Sequence, residues 1–323
     1  MTKQLKRTCQ WVLLCCGITL FSNCQQSEIE KSGSNDLSMS LVANIGNFSE
    51  ALGSRYVGDS PNSVEFGVSD NIGVFMDDEE ALKWTYGTSG WTPESLVFWP
   101  DKTEMHLFRA FYPYAVAVSA DNVPMPDLRG QDGTLSGLSG CDFLVASTTQ
   151  NYGTDGTVFF QGEGKSFRHV SSLLKLTIKG DDDLKSSMLT SIAVNGTNIM
   201  APSTYSFTNN AVTLSPDSQS DVLEILPLYE MENQDATFYF IVNEKKDASS
   251  VVTLTIEYTT DGKEYVAQME NFAGNVFGGG LQQSYTLTVK DKTLLITGSE
   301  ILPWGEGETL DDIVINGVEK DEE

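Results

Sequence analysis

Apolar residues recur at every second position along this chain, and that spacing decides which class of fold is open to it. Met39, Leu41, Ala43 and Ile45 alternate with Ser38, Ser40, Val42 and Asn44. Leu174, Leu176 and Ile178 alternate with Lys175, Thr177 and Lys179. Val252, Leu254, Ile256 and Tyr258 do the same with Thr253, Thr255 and Glu257, and Tyr285, Leu287 and Val289 with Thr286, Thr288 and Lys290. Successive strand residues point to opposite faces, so each run puts one row in a core and the other in water. That is the requirement of antiparallel sheets with one wet face. Val, Thr, Tyr and Phe, which suit a pleated surface, are abundant in these runs. No long helical periodicity competes with them. Turn-forming clusters separate the runs: Asp155-Gly156, Asn195-Gly196, Asn209-Asn210, Asp261-Gly262 and Gly278-Gly279-Gly280. Thr259 to Lys263 reads as a hairpin turn between Ile256–Tyr258 and Tyr265–Ala267. Many short strands over this length predict an all-β protein made of β-sandwiches, and one sandwich would be oversized. Two in tandem are expected, spanning 37–163 and 164–323. The boundary falls in the Thr-, Gly-, Asn- and Gln-rich stretch from Thr148 to Lys165, and the second domain ends in an acidic tail.

The N-terminus reads as an export signal. Lys3, Lys6 and Arg7 precede an uncharged apolar stretch from Trp11 to Phe21. At about 1.5 Å per helical residue that stretch covers only about half of a bilayer core, so it is too short for a membrane span. A basic start followed by a short apolar stretch predicts a signal peptide over residues 1–23. A cysteine placed straight after it, Cys24, makes this a lipoprotein signal in which the Cys24 thiol is acylated. Phe21 and Asn23 stand where such signals usually carry Leu and a small residue, and an ordinary signal peptide is the competing reading. Residues 24–36 are polar and read as a tether. Of the five cysteines, Cys9, Cys15 and Cys16 leave with the signal. With Cys24 lipidated, Cys141 has no partner and is expected to be a small buried hydrophobe. Stability must therefore come from large apolar cores rather than from disulfides.

The formal charge is −25. A surface this acidic repels phosphate backbones, which argues against nucleic-acid partners. The acids are scattered (Asp77 to Glu80, Asp181 to Asp183, Glu319 to Glu323) and do not follow calcium-loop spacing. His106 and His169 are the two histidines of the sequence. Neither has a Cys or His nearby in sequence, so both are expected to be packed or hydrogen-bonded strand residues, and no metal or other cofactor is called for. Gly-x-Ser-x-Gly is absent, and Gly278-Gly279-Gly280 is not followed by the Lys-Ser/Thr of a phosphate loop. The chain is therefore expected not to be an enzyme. A carboxylate pair brought together by folding is the one catalytic route left open. Nine aromatics lie between Trp84 and Tyr114. They fill a core, or, if exposed along one face, stack on sugars.

One ordered series of segments resembles a known family. It runs Asp70-Asn71-Ile72-Gly73-Val74-Phe75-Met76, Val97-Phe98-Trp99-Pro100, Phe111-Tyr112-Pro113-Tyr114 and Cys141-Asp142-Phe143-Leu144-Val145-Ala146. It continues through the strand from Phe167 to Leu176 and ends with Ile301-Leu302-Pro303-Trp304-Gly305-Glu306-Gly307. Over roughly residues 38–315 this resembles the fimbrillin-like family, the subunits of type V pili. The resemblance implies two tandem Greek-key sandwich domains of transthyretin-like character and export to the outer membrane as a lipoprotein. It also implies assembly by donor-strand exchange at the cell surface. In that scheme the first strand, here 37–48 with Met39, Leu41, Ala43 and Ile45 facing inward, fills a groove in its own sheet. A trypsin-like surface protease then cuts after an arginine in the following loop. Arg55 is the only arginine between Arg7 and Arg109 and lies in a polar segment containing Gly, although a solvated loop arginine with no such role fits the sequence as well. A neighbouring subunit supplies the replacement strand, for which Ile313, Val314 and Ile315 are the candidates here. The implied partners are other pilin subunits, the protease, the outer membrane through lipid, and a host or bacterial surface ligand. A surface carbohydrate-binding lipoprotein is the alternative, and a third reading is an anchor subunit that keeps its lipid.

Overall fold

The computed structural model describes residues 37–46, 65–117, 119–215 and 220–304. In chain order the first strands are β1 (Ser40–Ala43), β2 (Asn71–Met76), β3 (Leu82–Gly87), β4 (Gly90–Pro93) and β5 (His106–Tyr112). Next come β6 (Val123–Pro124), β7 (Leu144–Gln150), β8 (Thr157–Phe160) and β9 (Arg168–His169). Then follow β10 (Ser172–Ile178), β11 (Met188–Thr197), β12 (Ser203–Ser206), β13 (Ala211–Leu214), β14 (Ser220–Ile225) and β15 (Tyr229–Glu230). The last are β16 (Ala236–Val242), β17 (Thr253–Thr260), β18 (Lys263–Glu270), β19 (Leu281–Lys290) and β20 (Thr293–Pro303). Among the described residues the helical turns are short 3-10 segments, and none is an α-helix. The protein is all-β, as the period-two spacing predicts.

The alternating rows build a sandwich from β10 onward. One sheet has the order β16-β10-β19-β20, and the other β14-β11-β17-β18 with β15 pairing on β11. Leu174, Leu176, Phe240 and Leu287 from the first sheet and Ile192, Val194, Leu254 and Ile256 from the second are all fully buried in one shared core. The β17–β18 hairpin pairs Thr260 with Lys263, leaving Asp261 and Gly262 as a two-residue turn. Both have positive φ (51° and 70°), which is the turn geometry whose twist matches the flanking strands. Asn195-Gly196 departs from expectation, because it lies inside β11 rather than at a turn. Gly196 is there for close packing: a Cβ on it would meet Ile199 at 3.0 Å and Val252 at 3.2 Å.

The earlier strands form a six-stranded sheet, β4-β3-β2-β5-β7-β9, and a two-stranded parallel ribbon, β1-β8. The ribbon lies over one face of the sheet, so that Leu41, Val158 and Phe160 share a core with Val74, Phe108 and Ala110. The other face also is covered. There Phe75, Phe111 and Val145 pack with Val123 and Tyr205 of the small sheet β13-β12-β6. Burial on both faces is why Met105 to Tyr114 reads as a nearly continuous apolar run instead of an alternating one. A fourth cluster covers the outer side of β10 at its start, where Leu173 meets Leu128, Leu138, Cys141, Ile241 and Trp304. Cys141 is a free, buried cysteine in that cluster, and burial pushes its thiol pKa up.

The free edge of β16 is closed by a side chain. Gln131, itself buried, donates from Nε2 to Ile241 O at 2.8 Å and accepts the Ile241 N–H on Oε1 at 2.7 Å. Gly133 O accepts from Tyr239 N at 2.9 Å on the same edge.

Gly73 on β2 illustrates how tightly the two-faced sheet is packed. A Cβ there would stand 2.3 Å from two ring atoms of the fully buried Phe111. Gly73→Ala is therefore expected to destabilise the fold by about 1–3 kcal/mol, the usual range for forcing a methyl into a filled core. A shifted urea midpoint at unchanged slope would show it, and an unchanged midpoint would mean the Phe111 ring has room to move.

Candidate functional site: the first strand and its groove

β1 is the only segment described before Glu65, and it lies in a groove built by the chain that follows. Met39, Leu41, Ala43 and Ile45 are each at most 9 % exposed, whereas Ser40, Val42 and Asn44 face solvent. The inward row packs in the core that contains Trp84, Trp99, Phe108, Val158, Phe160 and Phe167. On one side the groove wall is the segment around Phe98. Met39 donates to Val97 O at 2.9 Å, and Trp99 N donates to Leu37 O at 2.8 Å. The other wall is β8, which runs parallel to β1 with Ser40 opposite Thr157 and Ala43 opposite Phe160. Ser40 N donates to Gly156 O at 3.2 Å and Asn44 N to Phe160 O at 3.0 Å. Past β8 the contact passes to Phe167, whose N–H donates to Asn44 O at 2.9 Å while Gly46 N donates to Phe167 O at 2.7 Å.

Trp99 is the hub of the groove. Its indole Nε1 donates to Gly156 O at 2.8 Å, tying the two walls together beneath β1. Its ring meets Phe108 edge-on at 5.0 Å and His106 at 6.0 Å. His106 stands between two carboxylates, with Nδ1 2.7 Å from Asp77 Oδ2 and Nε2 3.3 Å from Asp101 Oδ2. Carboxylates only accept, so both contacts are satisfied together by an imidazolium, which donates from both nitrogens. The Asp77 hydrogen bond is the main force holding the His106 pKa above its ordinary value, with Asp101 adding to it against the effect of burial. Arg109 also reaches this corner, donating to Asp77 O and lying 3.6 Å from Asp78. His169 has a carboxylate partner too: Nδ1 is 2.9 Å from Asp142 Oδ1, both side chains are buried, and the ring stacks on Trp304 at 3.8 Å. Both histidines are hydrogen-bonded strand residues. Asp77 and Asp142 lie 29 and 27 residues away in sequence, too far for a local motif to reveal them, whereas Asp101 is five residues before His106.

Of the nine aromatics between Trp84 and Tyr114, Phe98 alone is exposed, at 52 %. Trp84, Trp99, Phe108, Phe111 and Tyr112 are core residues. Trp91 packs against Phe66 at 4.9 Å and Tyr86 at 5.1 Å. Phe98 apart, these rings pack into the cores on the two faces of the six-stranded sheet and do not form an open row for stacking. Cys24, Arg55, Ile313, Val314 and Ile315 lie outside the described residues.

The first described strand of this all-β chain thus fills a groove built by later strands, and the fold of the chain is shared in outline with proteins of known structure. It matches a candidate cell-adhesion protein from Bacteroides uniformis at 15 % identity and TM-score 0.58, covering 83 % of this chain and 98 % of that one. A candidate cell-adhesion protein from Bacteroides ovatus matches at 16 % identity and TM-score 0.54, covering 83 % and 97 %. At such identities the likeness is one of fold. The fimbrillin-like family model matches residues 58–304. The chain belongs to the fimbrillin-like family, a family of structural and adhesive proteins of the cell surface. No curated protein matches it.

The His106 clamp has a pH signature. Its folded pKa is raised, so its stabilising contribution is complete below the unfolded value of about 6.5 and is lost as pH rises through the folded value. Urea midpoints of the native chain and of His106→Gln, taken from about pH 5 to about pH 9, should differ most at the acid end and converge at the alkaline end. A gap that stays constant with pH would show that His106 carries no charge in the fold.

Proposed function

We propose that this protein is a stalk or tip subunit of a surface pilus, exported as a lipoprotein through Cys24 and assembled by protease-triggered donor-strand exchange. The observation that carries the reading is the placement of β1, which comes first among the described strands and lies in a groove lined by large aromatics. Its backbone hold is short: four residues pair with β8, and isolated bridges at Ser38 and Ile45 extend the contact. Parallel pairing is also slightly weaker per residue than antiparallel. A strand held this way is removable once the chain is cut behind it. Arg55 lies between the end of β1 and Glu65 in sequence, where a cut would free β1 together with Cys24 and its lipid.

The emptied groove would leave Trp99, Phe108, Phe160 and Phe167 facing water along an unpaired strand edge, an arrangement that recruits another strand. A replacement strand gains backbone hydrogen bonds for affinity and alternate apolar side chains for register. In this reading the strand comes from the 310–318 region of a neighbouring subunit, with Ile313, Val314 and Ile315 filling the place of the departed row. In this reading the tandem sandwich domains are 37–163 and 164–323; the core from Leu174 onward is separate from the one beneath β1, while Phe167 and Tyr205 pack with the earlier strands. The outer membrane holds the subunit by its lipid until the cut, after which a surface ligand is met by the assembled fibre.

Brief trypsin treatment of the folded chain is expected to cut after Arg55, and oligomers should follow. Arg55→Ala should abolish both. Resistance at Arg55, together with normal pilus assembly by Arg55→Ala in cells, would overturn the maturation role. N-terminal sequencing of protein recovered from the cell surface separates the subunit types. A start just after Arg55 marks a polymerised subunit, and a start at Cys24 marks one that keeps its lipid as an anchor.

A further inference from the structure

Among the described residues β8 has one strand neighbour, β1. Its side chains Val158 and Phe160 are fully buried in the core beneath the groove. Its backbone has two edges, and they are used differently. The Ser40 and Asn44 contacts go to Gly156 and Phe160, so the even-numbered residues of this stretch face β1. Thr157 and Phe159 turn their backbone groups to the opposite edge. There the side chain of Gln150 meets them: Nε2 donates to Thr157 O at 2.7 Å, and Oε1 accepts the Phe159 N–H at 3.1 Å. One donor and one acceptor spanning residues 157 and 159 reproduce what a single residue of a parallel strand opposite Val158 would offer. Gln150 is well placed for this, because its own backbone closes the β5–β7 ladder opposite His106. A related device stands at the edge of β16, where the Gln131 amide serves the N–H and C=O of the single residue Ile241.

The geometry points to Gln150 as a positioning residue that keeps β8 in register as the standing wall of the groove, so that β8 is still aligned when β1 is absent. The role in strand uptake rests on the strand-exchange reading above, whereas the clamp itself does not. In that role Gln150 stays on the sheet side of β8, touches no incoming strand, and leaves the N–H and C=O groups of Val158 and Phe160 free for one. Without it, once β1 departs, the stretch from Thr157 to Phe159 would keep, among the described residues, only the local Thr157 N–H bond to Asp155 Oδ1, and the groove would lose an aligned wall.

Amide hydrogen exchange on the intact folded chain tests the clamp. Gln150→Met keeps the length of the side chain and removes both hydrogen bonds. Phe159 N–H is expected to exchange roughly five- to tenfold faster, about the effect of one lost hydrogen bond. Val158 and Phe160, held by β1, should be unchanged. Gln150→Glu sharpens the test: an ionised carboxylate cannot donate to Thr157 O but still accepts the Phe159 N–H. Phe159 should therefore stay protected in Gln150→Glu at neutral pH while its protection is lost in Gln150→Met, a contrast that simple packing would not give. Equal Phe159 exchange in all three proteins, or exchange in Gln150→Glu as fast as in Gln150→Met, overturns the clamp.

Uptake of a labelled peptide of residues 37–46 by trypsin-cut protein tests the role. Uptake by the native sequence with clearly slower or weaker uptake by Gln150→Met supports it, and equal uptake by both overturns it. If the native protein takes up no peptide, the strand-exchange reading falls with the role that rests on it, and the exchange data still decide the clamp.

Discussion

Closing the core under β8 and the six-stranded sheet takes four side chains from the far end of the chain: Met39, Leu41, Ala43 and Ile45. Full burial of a Met, Leu or Ile side chain contributes about 1.5–3 kcal/mol, so the row as a whole is worth about 5–9 kcal/mol as an upper estimate. The net stability of a whole domain is about 5–15 kcal/mol. The row is therefore comparable with the margin that keeps such a domain folded, while the backbone ladder that holds it is short and parallel. Apolar side chains dominate the hold, and the backbone mainly fixes alignment. Such a site tolerates exchange of one extended segment for another of the same spacing far better than it tolerates vacancy. It also explains why so many large rings gather around it, since their placement is meaningful only while the row is present.

The spacing of apolar residues made much of this fold readable. The buried rows through Leu174–Ile178, Val252–Tyr258 and Tyr285–Val289 follow from alternation alone, as does the Asp261-Gly262 turn. Reading failed wherever a residue answered to a distant neighbour. β5 lost its alternation because a second layer covers its outer face. β20, an edge strand exposed over most of its length, has no buried row to display: Leu295, Ile296 and Ile301 are all exposed. Asn195-Gly196 has turn composition and strand geometry because its glycine makes room for Ile199 and Val252.

The groove itself was legible in part. Residues 39, 41, 43 and 45 announce an inward row, but nothing local tells which sheet receives it or that the pairing is parallel. Gln150 was invisible to sequence reading. A glutamine ending a strand is ordinary, and its use depends on a loop returning β8 to within reach of its amide. The two histidines were recognisable as strand residues, whereas the carboxylates that position them come from other turns. Trp99 was counted among the aromatics, but its link from one groove wall to the other appears only once Gly156 is in place.

Gln131 carries a consequence for how this molecule meets copies of itself. A backbone edge is repetitive: it offers the same pattern at every second residue, and any extended chain can continue it. A side-chain amide is finite. Once its donor and acceptor are spent on Ile241 it presents no further ladder, and the sheet stops growing on that side. A chain that gathers at high local density on a surface benefits from such terminators, because they make one of its margins mute to stray β-segments.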